Sequence, residues 1–254
     1  DLRRSLERGD LLVHYQPRVE LGSGRIIGAE ALVRWRHRER GLIPPDVFLS
    51  LAEETGLITK IDHLVLTEAC RQAAMWQARR PGGSPFRMGV NISARGLRSI
   101  DLIRQVAEAL GSAGLAASGL ELEITESVLV EDAEVTVARL GELRAIGVRL
   151  AIDDFGTGYS SLGYLRRLPV DTLKIDRSFV ADLDADPRMM TIVGAIRTLA
   201  HGLGLDVVAE GIETAEQRDR LRDLDVRAGQ GYYFAKPMPA AEFEALMARE
   251  EAGT

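Results

Sequence analysis

Short apolar runs alternate with longer stretches of helical periodicity along the chain. Eight runs read as strands, near 12–20, 25–35, 87–92, 120–125, 148–153, 171–176, 205–210 and 226–231. The segments 61–79, 100–113, 133–146, 188–203, 214–224 and 239–249 read as helices. In 61–79, Ile61, Leu64, Val65, Ala69, Ala73 and Trp76 make one apolar face, with Glu68, Arg71 and Gln72 between them. Phe243, Leu246 and Met247 repeat the pattern in 239–249. Strands that alternate with helices predict βα units and a mostly parallel sheet. The link Leu21-Gly22-Ser23-Gly24 between the first two strands is too short for a parallel crossover and predicts a hairpin. One strand should therefore run against the other seven. The expected fold is α/β, a TIM-like (β/α)8 barrel with one antiparallel strand near the N-terminus.

A length of 254 residues suits one such barrel, so 1–254 is expected to be a single domain. The stretch Arg80-Pro81-Gly82-Gly83-Ser84-Pro85 reads as a helix-to-strand loop, not as a linker. Hydrophobic residues at 46% and charged residues at 28% support a packed core and argue against disorder. The formal charge of −6 disfavours duplex nucleic acid as a partner. A small anionic ligand stays possible where cations mediate the contact. The lone Cys70 excludes an internal disulfide and fits a reducing, cytoplasmic setting. No apolar run reaches the roughly 18 residues that a membrane span needs, and no secretory signal is visible. The chain opens with Asp1, as expected of a domain cut from a longer protein, which could itself be membrane-anchored.

The placement of acids changes the picture. Glu30 interrupts the apolar run Ile26-Ile27-Gly28-Ala29-Glu30-Ala31-Leu32-Val33, and Glu123 lies inside Leu120–Thr125. Asp153 and Asp154 end one apolar run, Asp176 follows another, Glu210 ends a third and Asn91 a fourth. A carboxylate in an apolar strand is costly to desolvate unless it is paired or binds metal. Each acid taken alone reads equally well as a helix N-cap or a structural ion pair. As a set at the strand ends of a barrel, they converge on the face that carries active sites. Such a cluster needs cations, and its oxygen donors suit Mg²⁺ or Mn²⁺. His14, His37, His63 and His201 are scattered and make no zinc pattern. Glu121 alternates with Leu122 and is expected to point away from the barrel interior. The stretch Asp153-Asp154-Phe155-Gly156-Thr157-Gly158-Tyr159-Ser160-Ser161 joins two acids to a glycine-rich loop. Gly-Thr-Gly alone is a weak phosphate-loop signal, but a mobile loop can set a metal-ligand pair.

These residues together resemble the EAL domain, the bacterial cyclic di-GMP phosphodiesterase. The resemblance runs through Tyr15-Gln16-Pro17, Glu30-Ala31-Leu32-Val33-Arg34-Trp35, Pro44-Pro45-Asp46, Ala52-Glu53-Glu54-Thr55-Gly56 and Asn91-Ile92-Ser93-Ala94. It continues through Glu121–Ser127, the double-aspartate loop, Leu173-Lys174-Ile175-Asp176, Val208–Thr214 and Gly229-Gln230-Gly231-Tyr232. The departures are Arg18 for a commoner aliphatic, Gly96 for glutamine, and Ala235-Lys236 for serine and arginine.

The resemblance implies two divalent cations, Mg²⁺ or Mn²⁺, and hydrolysis of cyclic di-GMP to linear pGpG. One metal would be held by Glu30, Asn91, Glu123 and Asp153, and Asp153 would bridge to a second held with Asp154 and Glu210. Lys174 would contact the attacking water, with Asp176 in support. Gln16 and Arg34 match substrate-contacting positions, and Glu213 and Gln230 match positions that support metal, water or substrate. Glu126 would anchor the loop from Asp153 to Ser161. Leu162, Tyr164, Leu165 and Leu168 would adjoin a two-fold dimer contact, so a homodimer is expected. Fused sensory or GGDEF domains would complete the longer protein. The alternatives are a catalytically weak or inactive cyclic di-GMP receptor and another two-metal phosphohydrolase on the same fold.

Overall fold

The computed structural model of the chain describes residues 1–79, 86–130, 133–158 and 162–252. Its strands are β1 (Leu11–Glu20), β2 (Ile26–His37), β3 (Gly41–Ile43), β4 (Arg87–Asn91), β5 (Leu120–Thr125), β6 (Arg149–Phe155), β7 (Thr172–Ile175), β8 (Asp206–Ala209) and β9 (Ala228–Gly229). From β2 the sheet runs through β4, β5, β6, β7 and β8 to β9, parallel at every junction. β1 closes it by pairing antiparallel with both β2 and β9. The result is the expected eight-stranded barrel with one reversed strand, and β3 is an added strand outside it on β2. The β1–β2 turn closes as a hairpin: Gly24 adopts φ 77° and donates its N–H to the Glu20 carbonyl at 2.8 Å.

The six expected helices are present as Ile58–Arg79, Leu102–Ala113, Ala133–Ile146, Pro187–Gly202, Ala215–Asp223 and Ala240–Ala252. The periodicity did not predict Leu2–Arg8, which Gly9 ends at φ 74°, nor β3. It also missed the short helices Leu49–Glu54, Ala94–Leu97, Glu126–Val130, Leu162–Leu165 and Arg177–Ala181. A helix of one turn shows no periodicity to read. The loop expected over 80–85 lies outside the described residues.

Helices Ile58–Arg79 and Ala240–Ala252 cover the seam where β1 runs backwards. Trp76 is fully buried there, stacked on Phe243 at 4.5 Å and edge-on to Tyr15 at 4.9 Å. Gln72, expected on the polar face, is buried because its amide and the Trp76 indole N–H both donate to Glu244. Among the described residues no helix is long and apolar enough to cross a membrane.

Alternation along β5 sends Leu120, Leu122 and Ile124 to the helices, and Glu121 and Glu123 together into the barrel. This corrects the expectation for Glu121. It is fully buried and accepts hydrogen bonds from Arg18 and from the Thr172 hydroxyl. Residues two apart share a face, so an inward Glu123 requires an inward Glu121.

Candidate metal centre and active site

The parallel strands run toward one face, and residues in or just after their C-terminal parts, with Glu30 from the middle of the long β2, build the centre. β2 supplies Glu30, β4 Asn91, β5 Glu123, β6 Asp153 and Asp154, and β7 Lys174. Glu210 follows β8 and Gln230 follows β9; the backbone N–H groups of these two donate to Ile175 and Ala209, which extends the pairing by one residue each. The carboxylates fall into two groups, Glu30–Glu123–Asp153 and Asp153–Asp154–Glu210, each with oxygens within 4.8 Å of one another. Asp153 belongs to both.

Two consecutive side chains of a regular strand point to opposite faces. Asp153 and Asp154 escape that rule because the β6–β7 register shifts between Ile152 and Phe155 and Asp154 takes a left-handed φ of 53°. Aspartate tolerates this region better than most residues, and such strain at about 1–3 kcal/mol persists where surrounding structure enforces it.

Lys174 is fully buried at the middle of the cluster. Its ammonium lies 2.7 Å from Glu210, 3.0 Å from Asp153 and 3.5 Å from Glu30, and it bonds to Glu123. Asn91 Nδ2 donates to Glu30 at 2.7 Å, and Gln230 Nε2 donates to both Glu30 and Glu210. One lysine cannot balance five acids. Burial pushes the Glu123 carboxyl up to about 8, with Glu30 and Asp153 adding to the rise against Lys174 and Arg18. Burial, then Asp153 and Asp176, raise Asp154 to about 6. Burial also lifts Glu210 well above the usual carboxylate range. Glu30 goes the other way: burial is outweighed by Lys174 and by the amides of Gln230 and Asn91. The four acids around Lys174 hold its own pKa well above normal despite burial. Acids forced toward protonation by one another are a ready site for divalent cations, and hard oxygen donors on two sides of a shared aspartate fit two of them.

The loop after β6 is tied down by Glu126, whose Oε2 accepts from the Gly156 N–H at 2.7 Å. This bond is to the loop's backbone. The Thr157 hydroxyl instead donates to the Asp154 carbonyl at 2.8 Å, and Ser160 lies outside the described residues. Gly156 has φ +100°, and a Cβ there would stand 2.6 Å from the Phe179 ring. Asp176 N-caps Arg177–Ala181 by accepting from Ser178 N–H at 2.9 Å, beside Asp154. Gln16 is buried next to Glu30 in the β1–β2 register and donates to the Ala235 carbonyl. Arg34 is half-buried on β2. Glu213 is exposed, just before the Thr214 N-cap of Ala215–Asp223, and its side chain joins no contact with the acids among the described residues. Of the residues expected to adjoin a dimer contact, Leu165 and Leu168 are buried in the chain's own core. The Leu162 and Tyr164 side chains lie outside what the structure describes.

Two residues carry more than the sequence suggested. Arg18, noted only as a departure, is buried and pairs with Glu121 and Glu123. Tyr232, two residues after Gln230, is 56% exposed, with Lys236 over its ring at 5.3 Å. A cavity of about 380 Å³ opens at the other end of the barrel, lined by Glu20, Arg87, Asp206 and Arg227 among others. Arg87 and Asp206 pair with each other there, and the metal-type acids are elsewhere.

A closed β/α barrel with a shared-carboxylate centre at its strand C-termini defines a class of metal-centred α/β barrel proteins. Within that class the chain belongs to the EAL domain family, whose model matches residues 1–237. It is 47% identical over 247 residues to the cyclic di-GMP phosphodiesterase NbdA of Pseudomonas aeruginosa, covering 97% of this chain and 31% of the relative. It is 46% identical over 248 residues to MucR of the same organism, a bifunctional diguanylate cyclase/cyclic di-GMP phosphodiesterase, covering 98% and 36%. A structure of the MucR phosphodiesterase in complex with c-di-GMP superposes with a TM-score of 0.91 at 46% identity, covering 96% of this chain and 98% of the other. The chain thus spans about a third of the length of these curated relatives.

Proposed function

We propose that the domain hydrolyses cyclic di-GMP to linear pGpG with two divalent cations, Mg²⁺ or Mn²⁺. The observation that carries this is the pair of carboxylate groups joined at Asp153. Glu30, Asn91, Glu123 and Asp153 would hold one cation, the Asn91 amide turning its oxygen inward; Asp153, Asp154 and Glu210 would hold the other. When bound, the cations supply Lewis acidity and the positive charge that an anionic substrate needs at an acidic site. Water adds to one phosphorus, the P–O3′ bond breaks, and the leaving 3′-oxygen takes a proton. The charged Lys174 has only N–H donors, so it orients the water and a carboxylate accepts the proton. Gln230 keeps Glu30 and Glu210 in place. Gln16 and Arg34 contact substrate, Tyr232 offers an exposed ring to a guanine base, and Glu213 and Asp176 support the site from its rim.

The substrate reading is supported by the names of NbdA and MucR and by the bound c-di-GMP of the superposed structure. A cytoplasmic domain of a longer signalling protein, with sensory or GGDEF partners and a homodimeric state, belongs to the same reading. The test is incubation with cyclic di-GMP and Mn²⁺, with and without excess chelator, read by chromatography. Conversion to pGpG only with metal is expected. Binding without cleavage would make the domain a receptor instead.

A further inference from the structure

Glu123 is held from both sides. Lys174 bonds to its Oε2 on the active-site side. On the other side Arg18, reaching in from β1, donates Nη2 to Glu123 Oε1 at 2.7 Å and Nη1 to Glu121 Oε1. Glu121 is itself fixed, accepting from the Thr172 hydroxyl at 2.7 Å and lying 3.8 Å from Arg149 Nε. Arg18 is 2% exposed and both glutamates are 0% exposed. The guanidinium fork is planar and its donors are set at fixed angles, so it reaches the two carboxylates with separate nitrogens and fixes the orientation of each. Gly89 on β4 makes the room: a Cβ there would stand 2.0 Å from Glu123 Oε1 and 3.2 Å from Arg18 Nη2.

Oε1 of Glu123 is turned to Arg18, and Oε2, on the side of Lys174, Glu30 and Asp153, is the oxygen that faces the centre. Ca²⁺ takes six to eight oxygens and often both from one carboxylate, whereas Mg²⁺ demands near-octahedral geometry at about 2.0–2.1 Å and is content with single oxygens. We infer that Arg18 is a positioning residue that limits Glu123 to one ligand oxygen and so biases the centre toward Mg²⁺ and Mn²⁺ over Ca²⁺. The inference rests on the reading of Glu123 as a metal ligand. Arg18 touches neither substrate nor reacting atoms in this role; it acts through Glu123.

The test is direct binding of Mn²⁺ and of Ca²⁺ by titration calorimetry. The proteins are the wild type, Arg18→Lys, and Arg18→Met combined with Glu121→Gln, which removes the buried charges as a pair and keeps a partner for Thr172. The paired variant is expected to lower the Mn²⁺-to-Ca²⁺ affinity ratio by about tenfold, the scale of lost support to a metal ligand. Arg18→Lys, with its charge kept and its fork lost, is expected to fall between. A merely structural Arg18 would lower thermal stability and weaken both metals alike, leaving the ratio unchanged. A simple charge effect would likewise move both together. An unchanged ratio in the paired variant overturns the inference, and an unchanged ratio in Arg18→Lys overturns it if the paired variant does not fold. A wild type that hydrolyses cyclic di-GMP but shows no Mn²⁺ preference over Ca²⁺ also overturns it while sparing the phosphodiesterase. A wild type that binds neither ion overturns the metal centre and Arg18's role with it.

Discussion

Lys174 faces four carboxylates with one charge, and that imbalance has measurable consequences. If Lys174 orients the water as proposed, Lys174→Ala should lower turnover on the order of a hundredfold or more, as loss of a single donor aimed at a reacting centre does. It also leaves buried acids without their counter-ion, which costs about 3–5 kcal/mol when one partner of a buried pair is lost. Bound cations replace that charge, so melting curves should show a larger Mn²⁺-induced rise in Tm for the variant than for the wild type. Equal rises would contradict the counter-ion role. The acids themselves predict a pH dependence. Glu123, at about 8, and Asp154, at about 6, lie above their ordinary values of 4.5 and 3.8. Their protonated forms favour the metal-free fold; that contribution is complete at acid pH and is lost as pH rises through about 6 and then about 8. Metal takes the ionised forms, so Mn²⁺ should bind more tightly across that window and release protons as it binds. Calorimetry in buffers of different ionisation enthalpy checks this: proton release that does not shrink above about pH 8 would contradict the Glu123 assignment.

The end of β6 would set the proposed second cation site, at the scale of an element. Its register shift, the left-handed Asp154 and the Glu126–Gly156 bond act as one device that brings two adjacent aspartates to one centre. Glu126→Ala releases the Gly156 N–H without touching a ligand. It should lower turnover by about tenfold and reduce Mn²⁺ stoichiometry from two toward one, since supporting contacts are worth about that much at metal sites. Gly156→Ala should act in the same direction for another reason, because its φ of +100° and the Phe179 ring both resist a Cβ. Mn²⁺ titration followed by steady-state kinetics separates these outcomes; two full equivalents bound by Glu126→Ala would detach the loop anchor from the metal.

For the whole molecule, five acids outnumber the one lysine at the barrel's centre, so on the proposed reading an anionic dinucleotide should enter only with cations. Assembly is the second molecular question. Leu165 and Leu168 are already buried within one chain, so a homodimer contact needs other surface near the helix Leu162–Leu165. If dimerisation orders the loop after β6, specific activity should rise with protein concentration through the dimerisation range seen by sedimentation. Activity per chain that stays flat from monomer to dimer would remove that coupling and leave the catalytic assignment in place.

The architecture was legible in the residue pattern because a parallel barrel imposes it everywhere. Apolar strands must alternate with one-faced helices, and the four-residue link at 21–24 admits only a hairpin. The acids of the centre were legible for a related reason: Glu30, Glu123 and Asp153 stand in apolar runs, where a charge is costly without a purpose. Tertiary structure alone decided what depends on elements far apart in sequence. Glu121 and Arg18 are 103 residues apart, and nothing local to either shows that they meet across the barrel. Gly89 could not be known as the space for that meeting, nor Lys174 as the common neighbour of four acids. Asp154 is the sharpest case. Strand alternation would turn it away from Asp153, and only a register shift against β7 with a left-handed backbone turns it back. Local pattern determines which face a residue prefers; which charges share that face is settled only when the barrel closes.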